Sequence, residues 1–278
     1  MDALMASYAC SSSDSEESSE DARRQRSRHF SGKRLPASLP PPPLAPLHPP
    51  NSLVHSQTDH GGRFRSFPHV EGNYALHVFI PVLMPPSIRK ELIPAMRKVT
   101  SLVPGLHVVD DVPLSDLCKD VERLEQVALG REFHISLGRT VPIRVHQIDS
   151  IVSMLRQKLQ SQKRYLIDFS KWEVFVNDDQ TRTFLSMEVI AGGLAEIRRQ
   201  IHVVDDIYRL HNLPEFYKNP RPHISLAWAL GDISHSLKQA IEELNRCCIT
   251  SGFRKKHIFG CTFNGIQCKI GKKFYKIF

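Results

Sequence analysis

Residues 133–137 read Phe-His-Ile-Ser-Leu, and residues 222–226 read Pro-His-Ile-Ser-Leu. In both, apolar residues alternate with a histidine and, two positions on, a serine. That period is the mark of a half-buried strand: Phe133, Ile135 and Leu137 go to a core, while His134 and Ser136 stand together on the other face, as do His223 and Ser225. Each motif therefore holds an imidazole beside a hydroxyl on a rigid support. With 14 histidines in 278 residues, chance supplies roughly 0.1 to 0.2 such matches per chain and a pair on the order of 0.01 to 0.02. A third His-x-Ser, His29-Phe30-Ser31, is flanked by Arg28 and Gly32 and shows what an accidental match looks like. One motif alone reads as a structural histidine on a strand; two read as a site.

Around the motifs, strand and helix patterns alternate. Tyr74 to Pro81 reads as a buried strand, followed by a helix over Ser87 to Leu102 that Pro94 is expected to interrupt or kink. Ile148, Ile151, Val152, Leu155 and Leu159 recur at helical spacing and predict a helix over Val145 to Gln160. Strands follow near Tyr165 to Phe169, Trp172 to Val176 and Thr183 to Val189, with Asn177 to Gln180 as a turn. Leu194, Ile197, Ile201, Val204 and Tyr208 share one face of a helix over Leu194 to Leu210. His223 to Ala229 is a strand and Ser236 to Cys248 a helix. Asn264-Gly265 between Ile258 to Phe263 and Ile266 to Ile270 is a hairpin signal that would set Cys261 opposite Cys268 as packed thiols. The outline is α+β, in two halves that each supply strands, a long helix and one motif strand, so a bilobal domain with the motifs facing across a cleft is expected.

The apolar, periodic part begins near Asn73. Before it, residues 11–21 are acidic and serine-rich, residues 23–34 basic and residues 36–50 dominated by proline, and none of these compositions builds a core. Residues 1–68 are expected to be a disordered tail and residues 69–278 the folded domain. Arg23, Arg24, Arg26 and Arg28 form a candidate nuclear localisation signal, with a plain solvated charge run as the alternative. The net charge is +8, and nearly all of the excess lies after residue 68, so a phosphate-rich partner is favoured. Cys10, Cys118, Cys247, Cys248, Cys261 and Cys268 show no metal-thiolate spacing. The N-terminus carries no apolar signal core, and the aliphatic run from Val78 to Met84 is too short to span a bilayer. The expectation is a soluble intracellular protein with reduced thiols, no cofactor and no membrane association.

Two imidazoles beside two hydroxyls suit phosphodiester cleavage of RNA. The reaction needs a base for the 2′-hydroxyl proton, an acid for the departing 5′-oxygen, and donors for charge developing on the nonbridging oxygens. With a reference pKa near 6.5, one histidine can act neutral and the other protonated. Ser136 and Ser225 would donate to the phosphoryl oxygens. No metal is required. Which histidine is the base is not written in the motifs.

At these residues the chain resembles the 2H phosphoesterase superfamily, and more narrowly its U6 small nuclear RNA phosphodiesterase branch. The resemblance is carried by FHISLGRTVPIR (133–144), NDDQTRTFLSMEV (177–189), FYKNPRPHISLAW (216–228) and KKFYKIF (272–278), and covers about residue 69 to the end. It implies two pseudo-symmetric lobes of antiparallel sheet with flanking helices around a central cleft. The implied activity is a metal-independent 3′-to-5′ exoribonuclease that trims the 3′ oligouridine end of U6 RNA in the nucleus and leaves a terminal 2′,3′-cyclic phosphate. His134 and His223 match the catalytic pair, and Ser136 and Ser225 their phosphate-binding partners. Tyr217 matches an aromatic that stacks on a nucleobase; a core tyrosine is the other reading. The loop Asn219 to Pro222 would border the nucleotide, with Arg221 as a phosphate or backbone contact, or else a surface arginine. Asp178 stands where the family carries a polar base contact, often glutamine, and a carboxylate departs from that pattern. Gly138, where the family often has serine, is expected to be neutral for the chemistry. The implied partner is a single-stranded RNA 3′ end, bound by a monomer. Two alternatives stay open: a 2′,3′-cyclic nucleotide or 2′,5′-phosphodiesterase on the same scaffold, and a non-catalytic RNA-binding splicing factor.

Overall fold

The computed structural model describes residues 67, 70–250 and 258–278, with backbone alone for residues 110 and 247–250. The chain divides into units of residues 1–55 and 56–278, and every described residue belongs to the second. The expected tail, apart from Phe67, and its arginine cluster lie outside the described residues, as do Cys10 and the side chains of Cys247 and Cys248.

Two antiparallel sheets carry the domain. In the first, β1 (Asn73–Leu83) is central. On one edge it pairs with β2 (Glu132–Ser136) and β3 (Val141–Arg144), and on the other with β8 (Gln267–Ile270), which pairs in turn with β9 (Lys273–Lys276). The second sheet runs in the order β6 (His223–Leu230), β5 (Arg182–Val189), β4 (Leu166–Val176), β7 (Phe259–Thr262). The period of two explains β1 directly: Leu76, Val78, Ile80 and Val82 are buried on one face, which leaves His77, Phe79, Pro81 and Leu83 for the other.

Helices cover the outer faces. They are α1 (Pro86–Leu102), α2 (Ile148–Leu159), α3 (Leu194–Leu210) and α4 (Ser234–Thr250). Helix α1 packs beside α4, which lies on β4, and α2 packs beside α3. Pro94 does not interrupt α1. It sits on the exposed side of the helix, where water can serve the carbonyl that the missing N–H leaves unpaired. Residues 145–147 form a separate 3-10 turn before α2, and the two strands expected across 165–176 are one strand with an irregularity between Phe169 and Lys171. Among the described residues no helix is long and apolar enough to cross a membrane.

Two sequence expectations are corrected. Asn264-Gly265 is not a hairpin turn: β7 ends in the second sheet and β8 begins in the first, so these residues cross between sheets. Cys261 lies opposite Ile167, and Cys268 opposite Val78 and Tyr275. The crossing is favoured because Phe263 and Ile266, on either side of the dipeptide, are both fully buried, and a two-residue hairpin would leave the strands to bury only each other. The halves are also not sequential, since β8 and β9 return the end of the chain to the first sheet. Gly265 has φ +132, and a Cβ there would lie 2.5 Å from the carbonyl oxygen of Phe278. Replacing Gly265 by alanine is expected to cost about 1–3 kcal/mol, read as a lowered urea midpoint; an unchanged midpoint would show that the crossing has no such constraint.

Candidate active site

The two motif strands are edge strands of different sheets, and they lie against one another. In β6 the ladder slips between Leu185 and Ser186, so Leu185 faces Ala227 while Ser186 faces Ser225 and Glu188 faces His223. Leu226 and Ala227 are consecutive yet both buried, as a bulge requires, and the slip brings His223 and Ser225 into phase with the buried polar residues Glu188 and Ser186 of β5. At this bulge Arg131, just before β2, donates through Nη2 to the carbonyls of Ser225 (2.8 Å) and Leu226 (3.3 Å). Farther along the same edge, His107 and Trp228 exchange backbone hydrogen bonds of 2.7 and 2.9 Å. The first motif is thereby fastened to the second.

On the first sheet, β1 supplies the floor under His134. The ring meets Phe79 and His77 edge-on, at centroid separations of 5.7 and 4.9 Å, and His77 Nε2 is 3.0 Å from Ser136 Oγ. His134 is exposed at one side but otherwise set among protein atoms. Desolvation first, and then the charges of Arg131, His223 and Lys269, lower its pKa to about 4. His77 is lowered to about 3, again by burial first, then by His134 and Lys269. Both rings are therefore neutral at physiological pH.

The second histidine has different company. His223 stacks on Phe175 at 3.8 Å, and its Nδ1–H donates to the carbonyl of Arg221 at 2.7 Å, which leaves Nε2 as its reactive atom. Its pKa is lowered, by burial first and also by the Arg221 charge, while the hydrogen bond to the Arg221 carbonyl and the Glu188 carboxylate pull the other way and hold part of that shift back. The Arg221 guanidinium is itself committed: it forms a 2.6 Å fork on Glu188, bonds Glu173 at 2.6 Å, and lies over Phe175. Ser225 Oγ is 3.3 Å from Ser186 Oγ.

At one end of the cleft Asp178 and Tyr217 come together through a residue that sequence reading missed. Arg139 binds Asp178 at 2.8 Å and lies 4.2 Å over the Tyr217 ring, and the Tyr217 hydroxyl donates to Asp178 at 3.3 Å. Tyr217 is 45% exposed, with its ring supported by the guanidinium and met edge-on by Phe216 at 5.1 Å. Asn219 is exposed in the loop before β6, and Pro222 is buried, its carbonyl accepting the Val189 N–H at 2.9 Å. Gly138 has a packing role, because a Cβ there would meet Val204 and Tyr208 at 3.0–3.1 Å. Of the other missed residues, His77 had a signal, the alternation of β1; Arg131, Arg139 and Glu188 act across the fold and had none.

A family model described as "HVSL: Uncharacterised conserved protein" matches residues 40–278. U6 snRNA phosphodiesterase 1 of Homo sapiens is 31% identical over 277 residues, 96% of this chain and 96% of its own length. The protein of the same name from Danio rerio is 33% identical over 225 residues, covering 78% of this chain and 71% of its own. Among solved structures, that of Kluyveromyces marxianus Usb1 superposes with a TM-score of 0.52 at 13% identity, covering 76% of this chain and 99% of that one. It shares the expected α+β fold.

The electrostatics give a direct check. Because its pKa is lowered, His134 should stay neutral as pH falls from 7 to 5, where an ordinary exposed imidazole titrates near 6.5. A histidine-resolved NMR titration should show this, and a midpoint at or above 6.5 for His134 would contradict it.

Proposed function

The chain belongs to the U6 snRNA phosphodiesterase family, and from that premise we propose that it trims the 3′ end of U6 snRNA as a 3′-to-5′ phosphodiesterase. One observation carries the reading: two His-Ser pairs on facing edge strands, in surroundings that suit one imidazole to take a proton and the other to give one. His134 has cations and another imidazole around it, nothing that favours its protonated form, and a ring exposed at one side; it is the base. His223 has a carbonyl on Nδ1 and a carboxylate behind, both favouring the imidazolium; it is the acid.

In the reaction His134 removes the proton of the penultimate nucleotide's 2′-hydroxyl, and the 2′-oxygen forms a bond to the adjacent phosphorus. The bond from phosphorus to the 5′-oxygen breaks, and that oxygen takes the proton held on His223 Nε2. The products are a terminal 2′,3′-cyclic phosphate and a nucleoside with a free 5′-hydroxyl. Ser136 and Ser225 donate to the nonbridging oxygens. Their partners direct those donors: the His77 tautomer protonated on Nε2 donates to Ser136 Oγ and leaves the serine proton for the phosphate, and Ser186 can do the same for Ser225. Tyr217 stacks on the terminal base, held by Arg139 and Asp178. Arg221 acts as a positioning residue through its carbonyl and Glu188, and Asn219 and Pro222 border the nucleotide. Both motifs sit on one chain, which suits a monomer, and an snRNA substrate favours a nuclear role.

His134→Ala and His223→Ala are each expected to lose at least ~100-fold in diuridine cleavage, since each removes a proton transfer, and EDTA should leave the rate unchanged. A diuridine with sulfur in place of the bridging 5′-oxygen has a leaving group that needs no proton. Its cleavage should be restored in His223→Ala and remain slow in His134→Ala; the reverse pattern would exchange the roles, and full activity of both variants would remove the catalytic assignment.

A further inference from the structure

The cleft face of the first sheet does not end at the motif. Strand register carries it outward in two rows: Ser136, Phe79, Gln267 and Lys276 lie side by side across β2, β1, β8 and β9, and His77, Lys269 and Phe274 do so across β1, β8 and β9. Cross-strand partners project from the same face, so Lys269 and Phe274 share a surface with the site histidines. Lys269 is near enough for its charge to act on both His77 and His134.

Phe274 is 56% exposed on this surface, and Lys269 Nζ stands 5.1 Å from its ring centroid. The hairpin also carries Lys272, Lys273 and Lys276. An exposed aromatic ring among ammonium groups, continuous with a phosphate-cleaving cleft, is what a single-stranded nucleic acid requires: stacking for a base and cations for the backbone. The distance fits as well. From β2 to β9 is three strand spacings, about 14 Å, so this ring lies beyond reach of the nucleotides at the scissile bond and within reach of those preceding them. Tyr217, whose neighbours Arg139, Asp178 and Phe216 belong to neither β8 nor β9, takes the terminal base, which leaves Phe274 for a base upstream.

We infer that the β8–β9 hairpin is a second base-stacking subsite, in which Phe274, with Lys269 and Lys276, holds the RNA upstream of the bond being cut. The inference rests on the phosphodiesterase reading and adds to it a preference for longer single-stranded ends.

Two measurements test it. In the first, the ratio of kcat/KM for hexauridine to that for diuridine is compared among variants. Loss of one stacked base is expected to lower this ratio by about 5- to 150-fold in Phe274→Ala, and Phe274→Trp should keep it. The ratio is internal to each preparation, so a poorly folded sample scales both rates alike; a ratio unchanged in Phe274→Ala overturns the inference. In the second, the unaltered protein is irradiated with a 2′-O-methyl hexauridine, which it cannot cleave, carrying one 5-iodouridine. Placed upstream, the label should cross-link to Phe274, and placed at the 3′ end, to Tyr217. An upstream cross-link mapping elsewhere defeats the subsite alone, whereas absence of both cross-linking and diuridine cleavage defeats the phosphodiesterase reading and the subsite with it.

Discussion

The site depends on Arg131 reaching across the seam between the sheets. Two edge strands from different sheets share no ladder to fix their relative position, and the catalytic geometry tolerates little slippage. Arg131 supplies a fixed point by donating to two successive carbonyls of β6, at the place where the bulge withdraws that strand from regular pairing. Both bonds come from one terminal nitrogen, Nη2, while the guanidinium lies 4.1 Å over the Phe133 ring. The position has a cost, because burial lowers the arginine pKa to about 10 and its Nε has no partner. The same buried charge, however, is among the causes that keep His134 unprotonated. One residue thus ties the two motifs together and adds to the burial that keeps the first histidine neutral.

Identical motifs acquire different chemistry from what lies behind them. His134 and His223 occupy equivalent places on equivalent strands, and neither motif distinguishes acid from base. The distinction comes from neighbours on the adjacent strand: β1 offers His77 and Phe79, while β5 offers Glu188, the cross-strand partner of His223. A carboxylate left alone beside an imidazole would compete for its proton. Arg221 prevents this by taking both oxygens of Glu188, so that the carboxylate acts on His223 through its field while its hydrogen bonds are occupied elsewhere.

What the sequence could disclose was local. Alternation marked His134, Ser136, His223 and Ser225 and their faces, and helical spacing marked Leu194 to Leu210 to its ends. What it could not disclose depended on tertiary partners. Asn264-Gly265 has the composition of a tight turn, but turn chemistry says only that the chain can bend there; whether the flanking segments pair is decided by the burial of Phe263 and Ile266 between the sheets. Pro94 reads as a helix breaker until its exposure is known. Asp178 looked like a damaged base contact when considered alone, whereas beside Arg139 it becomes the anchor of Tyr217. Arg139 and Arg131 lie close in sequence to the first motif, yet nothing near them separates them from ordinary surface arginines.

The two serines show why such partners are needed. A hydroxyl has one proton, and it helps a developing phosphoryl charge only if that proton is not already given to another acceptor. Each motif serine has a polar neighbour at hydrogen-bond range, His77 for Ser136 and Ser186 for Ser225, and each neighbour can donate. A fully buried Ser186 has few other acceptors to choose, and a neutral His77 can place its proton on Nε2. Protonation of His77 would leave the direction of that bond unchanged but add a cation beside His134. Its strongly lowered pKa therefore suits the base role proposed for His134: the ring behind the serine can donate without carrying charge, and burial on β1 is what lets it do so.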